Sequence, residues 1–247
     1  MKDNAKVAFV TGGAKRIGAV LIRTLHQQGY CIGLHYRHSH TEAQALATEL
    51  NVIRPHSVQL FKADAADINT LKAIPAHIEQ VFGRLDVLIN NASSFYPTPM
   101  GSVSVMDWNA LVDSNVKMAF FLSQASAPLL HRYHGTIINI TDIHATHVLK
   151  NYPIYTLAKA ALKALTESLA LEFSPTIRVN AIAPGWVLVN PELDHIASEK
   201  DYQRRLSKIP LKRIGSPEAI ANAMLYLINA DYVTGHTLQI DGGRHLT

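Results

Sequence analysis

The chain is expected to fold as an α/β protein, a doubly wound parallel sheet of seven strands with helices on both faces, and three features predict it. Apolar runs such as 7–10, 87–89 and 137–140 are continuous rather than alternating, the mark of strands covered on both sides. Strand-like runs alternate with helical periodicity along the whole length. A glycine-bearing turn separates the first strand from the first helix, where such sheets bind ligands beyond the carboxyl ends of their strands.

The elements follow in order. Residues 6–11 read as a strand, 16–28 as a helix and 30–36 as the second strand. Periodicity over 41–50 precedes a strand at 57–62, and a helix over 67–82 precedes the apolar run 86–90. One long helix is expected over 107–130, before the fifth strand at 136–141. Helix 152–173 leads to the sixth strand at 177–183, and helix 217–228 to the seventh at 237–240. Two stretches lack periodicity, 92–106 and about 184–200, and both follow strands. Loops of that length in a compact domain are usually lids or binding loops, so the second is read as a substrate loop. Together these elements describe a single Rossmann domain over residues 1–247.

Composition narrows the function. With 48% hydrophobic residues, 17% charged and one cysteine, the chain is neither disordered nor a disulfide scaffold. Its formal charge of +4 is spread out, without the basic stripe and interleaved aromatics of a nucleic-acid binder. Lys117, Lys159 and Lys163 interrupt the best apolar stretches, so no membrane span is expected. The polar first residues resemble neither a signal nor a transit peptide, and a cytoplasmic protein is expected. Cys31 sits in an apolar run and reads as a buried small hydrophobe. Of the thirteen histidines, His35 and His38, His131 and His134, and His144 and His147 fall at three-residue spacings without cysteine partners, so no metal site is expected.

The chemistry begins at Thr11-Gly12-Gly13-Ala14-Lys15-Arg16-Ile17-Gly18. Glycine at a strand-to-helix turn lets backbone amides approach a pyrophosphate, and the helix amino terminus adds positive partial charge. The second strand ends in His35-Tyr36-Arg37-His38-Ser39, close to where an acid would bind the ribose of NAD. No acid is there, and a basic, hydroxyl-bearing cluster suits the 2′-phosphate of NADPH. Tyr155 and Lys159 stand at i and i+4, one above the other on a helix face. A fixed ammonium beside the phenol is expected to bring its pKa down toward the working range.

The glycine spacing and the Tyr-x-x-x-Lys pair resemble the short-chain dehydrogenase/reductase superfamily, whose usual turn has glycine where Arg16 stands. The resemblance implies that Asp64, after the third strand, contacts the adenine. It places Asn90-Asn91-Ala92 at the close of the fourth strand, and gives Asn115 a share in holding a proton-relay water. Thr11, Gly12, Lys15, Ile17, Gly18, Asn91, Ala92, Ser93, Pro184 and Gly185 then join the cofactor site, with Tyr155 and Lys159 as the catalytic pair.

Thirteen residues before Tyr155, where most of these enzymes carry serine, stands Asp142. A carboxylate can accept from ring N–H groups and take part in delivering a proton to a ring nitrogen. Arg16, Ser93-Ser94-Phe95-Tyr96-Pro97, Asp142, Tyr155 and Lys159 together resemble the pteridine reductases, and Asp241-Gly242-Gly243-Arg244-His245-Leu246 fits the same group. The resemblance implies a pterin or folate stacked on Phe95 with the nicotinamide on its other face, met by Ser93 and Arg16. It also implies a homotetramer, with the apolar helix at 158–173 between subunits and Arg244 reaching a neighbouring site. Two other readings stay open, a reductase of simple carbonyls such as 3-oxoacyl thioesters and a sensor that binds NADPH without turnover.

Overall fold

The structure, a computed structural model, describes residues 5–187 and 198–247. Seven strands form one parallel sheet in the order β3-β2-β1-β4-β5-β6-β7. They are β1 (Val7–Val10), β2 (Cys31–Tyr36), β3 (Val58–Lys62), β4 (Val87–Asn90), β5 (Thr136–Ile140), β6 (Arg178–Pro184) and β7 (Thr237–Ile240). The chain runs outward from β1 to β3 and then returns to β4 beside β1. The switch in strand order, where such sheets open a crevice, therefore lies between β1 and β4.

Helices α1 (Arg16–Gln27), α2 (His40–Ile53) and α3 (Ile68–Phe82) follow the first three strands. Alternate residues of β1 feed two separate cores. Ala8 and Val10 join Leu21, Ile22 and Leu25 of α1 on one face, whereas Val7 and Phe9 join Leu71 and Ile78 of α3 on the other. Each fully buried aliphatic side chain of this kind contributes roughly 1.5–3 kcal/mol, which is why continuous apolar runs could be read as two-sided strands. Gly33 lies between Phe9 and Phe61, and a Cβ there would sit 2.5 Å from the Phe9 ring.

The long helix expected over 107–130 is corrected. It is α4 (Val105–Val112) and α5 (Met118–Arg132), joined by a π-helical turn over Asp113–Lys117. A Ser104–Asp107 capping box starts α4 two residues earlier than periodicity suggested. After β5 come α6 (Pro153–Glu172) and, beyond β6, α7 (Glu199–Ser207) and α8 (Pro217–Asn229). Most of the expected substrate loop at about 184–200 lies outside the described residues, and α7 takes up its end. Among the described residues no helix is long and apolar enough to cross a membrane.

Candidate active site

The turn after β1 is welded to the end of β4. Thr11 Oγ1 accepts from the backbone N–H groups of Asn91 and Ala92, each at 2.9 Å. Asn91 Nδ2 donates to the carbonyls of Thr11 and Gly12 at 2.9 and 3.0 Å. Gly12 has φ +61, and a Cβ on it would stand 2.9 Å from Ala92 Cα; one on Gly18 would stand 2.3 Å from the Gly12 carbonyl. Thr11, Asn91 and the glycines therefore shape the turn itself. Helix α1 starts there with neither a side-chain cap nor an acid in its first turn, so its leading N–H groups face outward as an anion site.

Arg16 has φ +52 where a glycine would be comfortable. A left-handed non-glycine residue costs about 1–2 kcal/mol, and the Arg16 side chain is exposed at the mouth of the turn. Arg16→Gly should therefore raise the thermal midpoint by about 2 °C, because roughly 1 kcal/mol of strain is relieved. Calorimetry checks this, and an unchanged or lowered midpoint would show that the guanidinium contributes to the fold.

A cavity of about 220 Å³ runs from this turn past the ends of β2 and β3, with Arg37, His38 and Ser39 at one end and Ser93 and Ser94 at the other. His35 lines it without supplying charge, which corrects its place in the basic cluster. The ring is 3% exposed, accepts from Gly12 N–H at 3.1 Å and lies 3.2 Å from the Ala63 carbonyl. Burial pulls its pKa down to about 4, so it is a neutral strut between the first and third strand ends. Arg37 and His38 are exposed, Tyr36 OH bonds His40, and Lys15 pairs with Glu42 at 2.6 Å. Asp64 accepts from Ala66 N–H at 2.9 Å, between Ala63 and Ala65, which line the cavity.

Tyr155 and Lys159 are both buried, at 4% and 2% exposure. The phenol donates to Asp142 Oδ2 at 2.7 Å, and the second carboxylate oxygen accepts from His144 N–H at 2.8 Å. Burial and the Asp142 carboxylate push the Tyr155 pKa well above 10, the reverse of the shift expected from Lys159. Position explains the difference. The ammonium donates to the Ile140 carbonyl at 2.9 Å and stands 5.7 Å from the Tyr155 ring centre, while Asp142 touches the hydroxyl directly. Burial lowers the Lys159 pKa to about 8, with Asp142 opposing the shift. The arrangement holds a protonated phenol between a carboxylate and a reserve cation.

Phe95 packs edge-on to Tyr155, with ring centres 4.7 Å apart, and stacks on Tyr152 at 4.6 Å. Tyr152 escaped the sequence reading, although its place three residues before Tyr155 on the same helical face could have marked it. Asn115 lies in the π-helical turn and donates to the carbonyls of Ser94 and Leu111 at 2.9 and 3.0 Å. Its buried Oδ1 has no hydrogen-bond partner among the described residues, the kind of atom that takes an ordered water.

Pro184 ends β6, and Gly185 N–H donates to Ile240 at 3.0 Å; a Cβ on Gly185 would meet Asp241 at 2.6 Å. Arg244 Nη1 donates to the O and Oγ1 of Thr247 at 2.7 and 2.9 Å.

Comparison with known proteins agrees with this geometry. A family model described as enoyl-(acyl carrier protein) reductase matches residues 12–245. The chain is 36% identical to pteridine reductase 1 of Leishmania tarentolae, over 98% of this chain and 97% of that one. It is 31% identical to a 3-oxoacyl-acyl-carrier-protein reductase of Staphylococcus aureus, over 98% of each chain. An uncharacterized oxidoreductase of Mycobacterium tuberculosis is 33% identical over 96% of this chain and 91% of its own length.

Proposed function

The chain belongs to the short-chain dehydrogenase/reductase superfamily, and from that premise we propose that this oxidoreductase is an NADPH-dependent pteridine reductase, taking dihydropterins and dihydrofolate to their tetrahydro forms. The observation that carries the reading is Asp142, which accepts the Tyr155 hydroxyl at 2.7 Å in the place where a serine would serve a simple carbonyl. A carboxylate and a phenol sharing protons suit a nitrogen heterocycle better than a ketone.

The residues present fit the cofactor. The uncapped start of α1 and the glycine turn would hold the pyrophosphate, and Arg37, His38 and Ser39 the 2′-phosphate. Bound NADPH supplies the hydride. Phe95 and Ser93 would hold the flat ring system, and Arg16 would meet its polar edge. The phenol proton is held ready by Asp142, and the Lys159 cation stabilises the negative charge left when that proton goes to the substrate nitrogen. Because a phenolate 2.7 Å from a carboxylate is unfavourable, Asp142 keeps the phenol protonated until the substrate takes the proton.

Loss of nicotinamide absorbance with dihydrobiopterin, dihydromonapterin, dihydrofolate and an acetoacetyl thioester in parallel tests the reading. Turnover of the thioester alone would replace it with the carbonyl reductase, for which the 31% identity to the staphylococcal enzyme speaks. Tight NADPH binding without any turnover would leave only a sensor. Arg37→Ala should weaken NADPH by about tenfold or more and NADH little, since a charge-assisted pair to phosphate contributes roughly 1.5–3 kcal/mol. An unchanged preference would remove Arg37 from the 2′-phosphate.

Val105, Met106, Trp108, Phe120, Leu157 and Leu171 are large apolar residues exposed along α4 to α6. That face supports a homotetramer, in a cytoplasmic enzyme.

A further inference from the structure

Contrary to the reading that the excess charge is spread out, the sequence gathers it in one segment. Residues 199–213 hold Lys200, Arg204, Arg205, Lys208, Lys212 and Arg213 against Glu199 and Asp201, a net charge of +4. That equals the formal charge of the whole chain, so the remaining residues carry as many acids as bases. Glu192 and Asp194 precede this segment in the sequence, outside the described residues.

The segment is pinned to the ligand edge of the sheet at both ends. Tyr202 of α7 packs edge-on against Trp186 with ring centres 5.4 Å apart, and Gly215 N–H donates to the Trp186 carbonyl at 2.9 Å. Trp186 lies two residues beyond the end of β6, next to Gly185. The chain terminus straps the middle of the segment, since Leu211 N–H donates to Gly242 and Thr247 Oγ1 to the Lys208 carbonyl. Helix α7 buries no residue, so packing does not explain its composition. Arg204 and Arg205 both turn to Asp201, whereas Lys208 and Arg213 are exposed and their side chains have no partner among the described residues.

Resting on the pteridine reductase reading, we infer that this cationic segment binds a polyanionic tail on the substrate, a chain of γ-linked glutamates extending from the pterin as in polyglutamated dihydrofolate. The nine residues of α7 span about 13 Å, a reach of several carboxylates. The position beside the ligand end of β6, next to Gly185, favours a tail belonging to the substrate over a separate acidic protein.

The test compares dihydrobiopterin, dihydrofolate and its pentaglutamate with the intact chain and with Lys208→Gln/Arg213→Gln. In the intact chain KM should fall by about fivefold from one glutamate to five at low ionic strength, and the difference should shrink at about 0.3 M salt, where charges are screened within a few ångströms. The double variant should lose most of that length dependence, while Arg132→Gln, at the opposite end of α5, should keep it. Dihydrobiopterin turnover without length dependence, or a dependence that survives the double variant, overturns the inference. So does a variant-sensitive KM for an acyl-carrier-protein thioester in place of the pentaglutamate. A fluorescence titration with pteroylmonoglutamate and pteroylpentaglutamate reads the tail without turnover. If no dihydropterin is reduced but the pentaglutamate binds more tightly in a variant-sensitive way, the reductase reading fails and the anion site stands; equal binding removes both.

Discussion

Replacing Asp142 by serine lowers kcat/KM for dihydropterins by about a hundredfold to a thousandfold, the range expected for loss of a positioned proton carrier, and leaves the NADPH dissociation constant nearly unchanged. Serine can still cap His144, so the turn after β5 survives. What disappears is the carboxylate on the Tyr155 hydroxyl. Since that carboxylate helps hold the phenol pKa up, the variant's Tyr155 should also titrate at lower pH, which difference absorbance in the phenolate band reads directly. Equal losses in turnover and cofactor affinity would show that Asp142 builds the fold of the site rather than its chemistry.

Lys159→Met should weaken turnover by about a hundredfold and stabilise the protein at neutral pH. The ammonium is 2% exposed with a pKa of about 8, against 10.5 for a free lysine. Below pH 8 it is charged in both states, and the fold carries the full penalty of about 3 kcal/mol. Between pH 8 and 10.5 the unfolded chain holds a proton that the fold has released, so wild-type stability gains with rising pH, and above 10.5 the penalty is gone. Methionine removes that window but strips the Ile140 carbonyl of its donor, which returns about 1–3 kcal/mol at every pH. The variant's advantage should thus be about 1 kcal/mol at pH 7, vanish at about pH 9 and be a deficit of about 2 kcal/mol by about pH 10.5. Urea unfolding of both proteins across that range checks it. A difference independent of pH would mean that the lysine is not depressed.

The strands were legible because each run, such as Val7–Val10, is apolar on both faces and its two faces meet two different cores. The break at Asp113–Lys117 was not, because a π-helical turn keeps helical residue types and only changes their spacing. Helix α7 was not legible either, because with no buried residue it has no apolar stripe. In the site, spacing marked Tyr155 and Lys159 and the resemblance to the superfamily marked Asp142, yet the direction of the Tyr155 shift depends on which neighbour touches the hydroxyl. His35 looked like a cation among cations, and only its burial between Gly12 and Ala63 makes it neutral.

The widened turn between α4 and α5 also sets the phase of Asn115. A π-helical turn holds one residue more than an α-helical one, so one residue removed from 113–117 would let it close to ordinary helical spacing with α5 still facing its core. Leu122, Leu129 and Leu130 would keep the core they fill, but the Asn115 amide would leave the Ser94 carbonyl. Length is therefore constrained more tightly than residue identity at this point, and related chains that conserve the site should show substitutions there but no deletion.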